Sequence, residues 1–151
     1  MKIITLHSGE QCIVDERDFC ELSKHKWYCV NGYAVRREGR RTIRMHREII
    51  CAETGKTVDH ANGNKLDNRR ENLRFCTQRE NSWNTKSTGA VKFKGVHISR
   101  RKCGVLYRSA IRVNGGKPKC LGYFRTPEEA ARVYDNAARS LHGEFARLNF
   151  S

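Results

Sequence analysis

The chain has 151 residues, the size of one ordinary domain or two small ones. Lys plus Arg number 30 against 16 Asp plus Glu, a formal charge of +14, and only 38% of residues are hydrophobic. That balance excludes one large apolar core, and no apolar run reaches the about 18 residues a membrane span needs.

The first twenty residues turn acidic before any apolar run develops, so no secretory leader is expected. Seven cysteines occur without a CxxC pair. A disulfide framework and a zinc ribbon both fit that pattern poorly, and reduced thiols acting as small hydrophobes fit better. The expectation is a cytoplasmic, strongly basic protein whose partner is a polyanion.

Lys2 to Leu6 and Gln11 to Val14 alternate around Ser8-Gly9 and read as a hairpin. Asp15 is placed to cap a short helix through Leu22, and Tyr33 to Arg37 pairs with Thr42 to Met45 in a second hairpin. Such a segment has too little core to stand alone, so residues 1–50 are expected to act as sheet and helix support for the neighbouring segment. It carries a basic run, Arg36, Arg37, Arg40, Arg41, Arg44 and Arg47, interrupted only by Glu38 and suited to backbone phosphates.

Residues 58–81 are dense in Asp, His and Asn. Lys56 to Asp59 reads as a strand, Asn62-Gly63 opens a turn-rich loop, and Leu73 to Cys76 reads as a second strand. Thr77-Gln-Arg-Glu80 has the form of a capping box opening a short helix. This order is expected to place Asp59, His60 and Asn81 near one another. Cleaving a phosphodiester requires an activated water, charge relief on the phosphate and stabilisation of the leaving oxygen. A divalent cation on Asp59 and Asn81 meets the last two needs, and two oxygen donors favour Mg²⁺ or Mn²⁺ over zinc. His60 titrates where a general base at neutral pH should. His46 is open between assisting the phosphate or metal and packing. Several of the asparagines could simply cap turns.

Asn84 to Ala90 carries no large apolar side chain and reads as a joint between two patterned regions. Beyond it, residues 91–124 hold nine basic side chains and no acidic one: Lys92, Lys94, Arg100, Arg101, Lys102, Arg108, Arg112, Lys117 and Lys119. Val91 to Arg100, Tyr107 to Val113 and Lys119 to Phe124 read as strands, with Asn114-Gly115-Gly116 as a tight turn. Thr126, Pro127 and Glu129 start a helix that Gly143 stops, and Ala130, Val133, Tyr134, Ala137, Ala138 and Leu141 fall on one side of it. Period two puts Tyr107, Ser109, Ile111 and Val113 toward that helix and Arg108, Ala110 and Arg112 outward. A twisted basic ribbon of this kind fits the DNA major groove.

Two resemblances rest on these residues. Asp59-His60, Asn72 twelve positions after His60 and Asn81 nine further on resemble the HNH endonucleases, in particular the homing-type enzymes of phage genomes. Trp27-Tyr28, Gly32 to Arg36 and Met45-His-Arg47 extend the likeness over about 20–84. The resemblance implies a ββα-metal module with His60 as general base, Asp59 and Asn81 as ligands to one Mg²⁺ or Mn²⁺, and Asn72 as the residue fixing the loop that bears His60. It also implies products with a 5′-phosphate and a 3′-hydroxyl. Phe93-Lys-Gly-Val96, Leu121-Gly-Tyr-Phe124, Glu128 to Asp135 and Gly143 to Phe150 resemble an AP2-type DNA-binding domain. That family reads DNA through its sheet, which implies roles for Lys94, His97, Ser99, Arg108, Arg112 and Lys119; His97 and Ser99 stand where arginine is frequent.

The expected fold is therefore α+β: an HNH module with N-terminal sheet support over 1–84 (its core about 42–84), a linker at 85–90, and a three-stranded antiparallel sheet packed on one helix, AP2-like, over 91–151. The expected activity is metal-dependent endonucleolytic cleavage of double-stranded DNA by a monomer in the cytoplasm, that of the host if the gene is phage-borne. DNA contacts are expected from Lys94, His97, Arg100, Arg101, Arg108, Arg112, Lys117 and Lys119, with Arg36, Arg37, Arg40 and Arg41. The rival is a non-catalytic DNA-binding regulator with a degenerate nuclease fold.

Overall fold

A computed structural model describes residues 1–150 except 88, 103, 114 and 115. The expected Asn114-Gly115 turn lies outside the described residues. Small antiparallel sheets and short helices make up two compact units, Met1–Thr77 and Gln78–Ser151. No described helix is long and apolar enough to cross a membrane.

The first unit opens with β1 (Lys2–Thr5) and β2 (Gln11–Val14), joined through Gly9 at φ +96°. Helix α1 (Glu16–Leu22) comes next. Asp15 stands at its N-cap without a capping bond, because its Oδ2 accepts from the Arg70 backbone N–H at 2.8 Å instead. A three-stranded sheet then runs β3 (Tyr28–Val30), β4 (Tyr33–Glu38), β5 (Arg41–Arg44), in that order. Asn31 and Gly32, at φ +52° and +79°, make the two-residue turn between β3 and β4. The second expected hairpin is present, but Met45 leaves the strand to begin α2 (Met45–Ile49).

Finally β6 (Thr57–His60) and β7 (Leu73–Cys76) pair antiparallel, with Asp59 opposite Arg74 and His60 opposite Leu73. One apolar cluster joins Ile4, Leu6, Cys12, Val14, Leu22, Trp27, Met45, Ile49, Val58 and Leu73. The N-terminal strands and the β6–β7 hairpin therefore share a core, worth about 1.5–3 kcal/mol for each large side chain fully buried. Cys12 is fully buried there, and burial pushes its thiol up to about 11. The small-hydrophobe role suits Cys12 but not Cys20, Cys51 and Cys120, which are exposed.

The second unit begins with α3 (Gln78–Trp83). The compact units thus divide before this helix and not at the polar segment after it. Strands β8 (Val96–Arg101), β9 (Gly104–Ile111) and β10 (Lys119–Phe124) form an antiparallel sheet with β9 central. The first of these starts five residues later than its sequence pattern, since Gly95 turns at φ +75° and a β-carbon there would collide with the Tyr134 ring.

Helix α4 (Pro127–His142) packs on the sheet and opens with a complete capping box between Thr126 and Glu129. Two small cores hold it there: Val96, Ala130 and Ala131 with Phe93, Tyr107, Phe124 and Phe150, and Ile111, Tyr134 and Ala138 with Leu121 and Leu148. The buried stripe of α4 ends at His142, whereas Leu141, expected on the inner face, is 46% exposed. Ala110, expected to face outward, is buried. The chain end is tied down by buried Asp135, whose carboxylate accepts from the backbone N–H groups of Asn149 and Phe150 at 2.9 Å.

Candidate active site

The loop 61–72 between β6 and β7 is held by side chains that replace a regular ladder. Asn72 clamps it twice: its Oδ1 accepts from Asn62 N–H at 2.9 Å and its Nδ2 donates to the Asp67 carbonyl at 2.7 Å. Asn62 and Asn64 cap turns by accepting from the N–H two residues on. The Asp67 carboxylate takes Arg69 and Asn62, and Arg69 first among them holds it below the usual carboxylate range. The same loop is tied to the N-terminal elements through Leu66 and Asn68, which bond the backbone of Ile13, and through the Arg70–Asp18 ion pair at 2.7 Å.

Asp59 and His60 end β6 and are both buried, at 6% and 4% exposure. His60 Nε2 lies 3.1 Å from Asn68 Oδ1. Asn68 is itself fully buried and gives its Nδ2 to Cys12 Sγ at 2.9 Å, so its oxygen faces the imidazole. An oxygen in that place requires His60 to carry its proton on Nε2, which leaves the lone pair on Nδ1. Burial lowers the His60 pKa, and the opposing pull of the Asn68 bond, Asp59 and Asp67 is smaller. The ring is therefore neutral at pH 7 and basic at Nδ1.

Three groups stand beside this pair: Arg74, which the sequence pattern missed, His46, which it left open between assisting the phosphate or metal and packing, and Tyr33. Arg74, opposite Asp59 in the ladder, places Nε and a terminal nitrogen 3.1 and 2.9 Å from Asp59 Oδ2. A charged residue across from an acid in a predicted hairpin was the available signal. His46 on α2 sets its ring centroid 4.9 Å from that of His60 at 73°. Tyr33 lies 5.3 Å from His46 and 6.0 Å from His60, with the Lys65 ammonium 4.2 Å from the Tyr33 centroid. Burial, first, and then His60, Arg44 and Arg47 drive the His46 pKa down to about 3.

Asp59, His60 and Asn72 thus come together on one hairpin. Asn81 lies on α3 in the second compact unit. That helix is anchored within its own unit: the Trp83 carbonyl accepts from Lys94 Nζ and from Arg147 N–H, and its indole stacks on His142 at 4.3 Å and 10°.

The expected DNA contacts fare unequally. Arg36 departs from the expectation because its guanidinium is spent on Glu48 (3.1 Å) and Glu38 (3.0 Å). Lys94 departs likewise: its ammonium caps the carbonyls of Trp83 and Thr85, and burial brings its pKa down to about 8. Arg37, Arg40 and Arg41 are exposed, as are Arg112, Lys117 and Lys119. On the sheet, His97, Arg108 and Tyr123 are direct neighbours across three strands, and Arg101 lies 4.1 Å over the Tyr123 ring. Arg100 pairs with Val105 and so takes the opposite parity to Arg101.

Among the described residues no three His, Cys, Asp or Glu side chains cluster as a metal cage. A carboxylate and an amide, both oxygen donors, instead suit a hard divalent cation that keeps several waters.

The HNH endonuclease family matches residues 45–83, a stretch that contains Asp59, His60, Asn72 and Asn81. A protein of Acanthamoeba polyphaga mimivirus named as an uncharacterized HNH endonuclease is 38% identical over 136 residues, 85% of this chain and 68% of the viral one. Protein 3.8 of Escherichia phage T7 is 33% identical over 99 residues, 62% of this chain and 76% of its own. No solved structure matches. The chain belongs to the HNH endonuclease family. Membership points to nuclease activity on DNA with a divalent metal ion, the general requirement of these enzymes.

Proposed function

We propose that this protein is a homing-type, metal-dependent endonuclease that hydrolyses a phosphodiester of double-stranded DNA. His60 is its general base, one Mg²⁺ or Mn²⁺ is held by Asp59 and Asn81, and the C-terminal unit is an AP2-like duplex reader. The observation that carries this reading is the bond between His60 and Asn68 Oδ1. It puts the proton of the imidazole that burial keeps neutral on Nε2 and the lone pair on Nδ1, the arrangement a base needs before it accepts a proton from water.

In this scheme Nδ1 takes the proton of a water whose oxygen bonds to phosphorus as the bond from phosphorus to the 3′-oxygen breaks; that oxygen takes a proton from solvent, leaving a 5′-phosphate and a 3′-hydroxyl. The cation, when bound, supplies charge relief on the phosphate and stabilises the leaving oxygen. Asn72 acts by holding the 61–72 loop. Duplex binding falls to His97, Arg100, Arg101, Arg108, Arg112, Lys117 and Lys119, with Arg37, Arg40 and Arg41 on backbone phosphates. Contacts of that kind position the protein, and base edges in a groove specify the site.

Supercoiled plasmid incubated with the protein and Mg²⁺ tests the reading. Nicking or linearisation is expected, abolished by EDTA and slowed about 10²–10⁴-fold in His60→Ala, which still binds DNA. A wild-type protein that binds duplex and never cuts it, with Mg²⁺ or Mn²⁺, establishes the DNA-binding regulator instead.

A further inference from the structure

Strand β3 is the edge of the three-stranded sheet in the first unit, and a cavity of about 660 Å³ opens beside it. Tyr28, Val30 and Val35 give it apolar walls, Lys26 and Arg37 bring two cations, and Thr42 adds a hydroxyl. No acidic side chain is among the described residues that line it. Arg36 also borders the space, but its charge is met by Glu38 and Glu48. No ion pair among the described residues uses Lys26 or Arg37, and both are exposed. The aromatic wall is firmly seated. The Trp27 indole donates to the Leu22 carbonyl at 2.7 Å, and the Cys29 N–H donates to Ser8 Oγ at 3.1 Å. Between these anchors, Tyr28 packs its ring against His7 at 5.2 Å and 65° and is still 40% exposed.

We propose that this cavity takes one nucleotide of the substrate whose base has left the duplex stack, with the base on Tyr28 and the flanking phosphates on Lys26 and Arg37. The inference rests on the reading of DNA as the substrate. An aromatic ring beside exposed cations is the chemistry that holds unpaired nucleic acid, since every base offers a flat face and every nucleotide a phosphate. A bare anion leaves the apolar walls unused, and an uncharged apolar ligand leaves the two cations unused. The volume falls within the about 300–1,000 Å³ of ordinary small-ligand sites. Its place on the sheet suits a substrate strand. Tyr33, whose ring lies 6.0 Å from that of His60, shares a face of β4 with Val35 and Arg37 by the period of two. The cavity walls therefore stand about 7–14 Å along β4 from that ring, a span of about two to four nucleotides. Unstacking costs least where a base is already unpaired, so DNA carrying such a base is the favoured ligand.

The experiment uses the full chain in EDTA, so that no strand is cut, and reads fluorescence anisotropy on two labelled duplexes that differ by one extrahelical base. The wild-type protein is expected to bind the bulged duplex about tenfold or more tighter than the perfect one. Tyr28→Ala is expected to bring that ratio toward one, and Tyr28→Trp to keep it. Lys26→Ala with Arg37→Ala is expected to flatten the dependence of log K on log salt for the bulged duplex by up to about 2 units. A 5-iodouracil placed as the extrahelical base is expected to cross-link to Tyr28 in the wild-type protein, which reads the contact without any substitution.

A bulge preference that survives Tyr28→Ala, with the cross-link on another residue, overturns the proposal. An equal loss of affinity for both duplexes in Tyr28→Ala overturns it in favour of plain contact with the duplex backbone. A wild-type dimer in sedimentation that Tyr28→Ala dissolves, with the ratio of affinities unchanged, gives the face to a second copy of the chain instead. Wild-type protein that binds neither duplex removes the DNA-substrate reading and this proposal with it, whereas equal binding to both removes the proposal alone.

Discussion

At the residue scale the protein is organised around imidazoles that burial keeps neutral. His46 has its pKa lowered to about 3 in the fold against an ordinary 6.5, and His60 is displaced in the same direction. Between those values the unfolded chain binds protons that the folded chain refuses. This contribution to stability is therefore fully present above pH 6.5 and is lost as the pH falls toward 3. The urea midpoint is expected to drop between pH 7.5 and pH 5, and the drop to shrink in His46→Phe. A midpoint that is flat over that interval in wild type would refute a buried neutral His46. Arg74 illustrates a second residue-scale point. Its position opposite Asp59 comes from a register that two short strands fix between them, so it became visible only once the pairing was known.

At the element scale the decisive feature is an irregular loop made rigid by asparagines. Turn-prone composition over 61–72 reads in the sequence as a loop, and Asn62 and Asn64 do cap turns within it. Asn72 does more, since its amide satisfies a backbone N–H and a backbone carbonyl on opposite arms of the loop. Asn72→Ala leaves both groups without that partner in a half-buried place, and a loss of about 1–3 kcal/mol is expected for each group that stays unsatisfied. Chemical denaturation measures it, and a midpoint equal to wild type would show that water replaces the amide without cost. The short elements were the hard ones to read. Helix α2 has five residues and β3 has three, too few for a period of 3.6 or 2 to declare itself. The capping box of α4 and the strands β7 and β10 arise from local signals and lie where the sequence puts them.

At the scale of the whole molecule, charge and architecture divide the work. Of the nine basic residues over 91–124, Arg100, Arg101, Arg108 and Lys119 lie on strands of a sheet whose register aligns His97, Arg108 and Tyr123 across three strands. If that sheet meets the duplex, Arg108→Ala with Arg112→Ala is expected to weaken binding and to flatten the dependence of log K on log salt by up to about 2 units. An unchanged slope in a salt titration would remove the sheet from the interface. The compact units also redraw the division of the chain. Helix α3, inside the HNH match, belongs with the C-terminal unit because Lys94, His142 and Arg147 hold Trp83. The polar segment after α3 therefore does not mark the boundary between compact units.

The sequence by itself determined the basic character, the α+β class, the Asp59-His60 pair with its downstream asparagines, and the order of strands ahead of a capped helix. All of these are written in composition, spacing or signals within a few residues. Only the tertiary structure decided that Asn68 sets the tautomer of His60, that Cys12 backs Asn68 from 56 residues away, and that His46 and Tyr33 lie against the His60 ring. Contacts of that separation leave no local trace, because each residue involved is an ordinary core or turn residue until packing brings it to its partner.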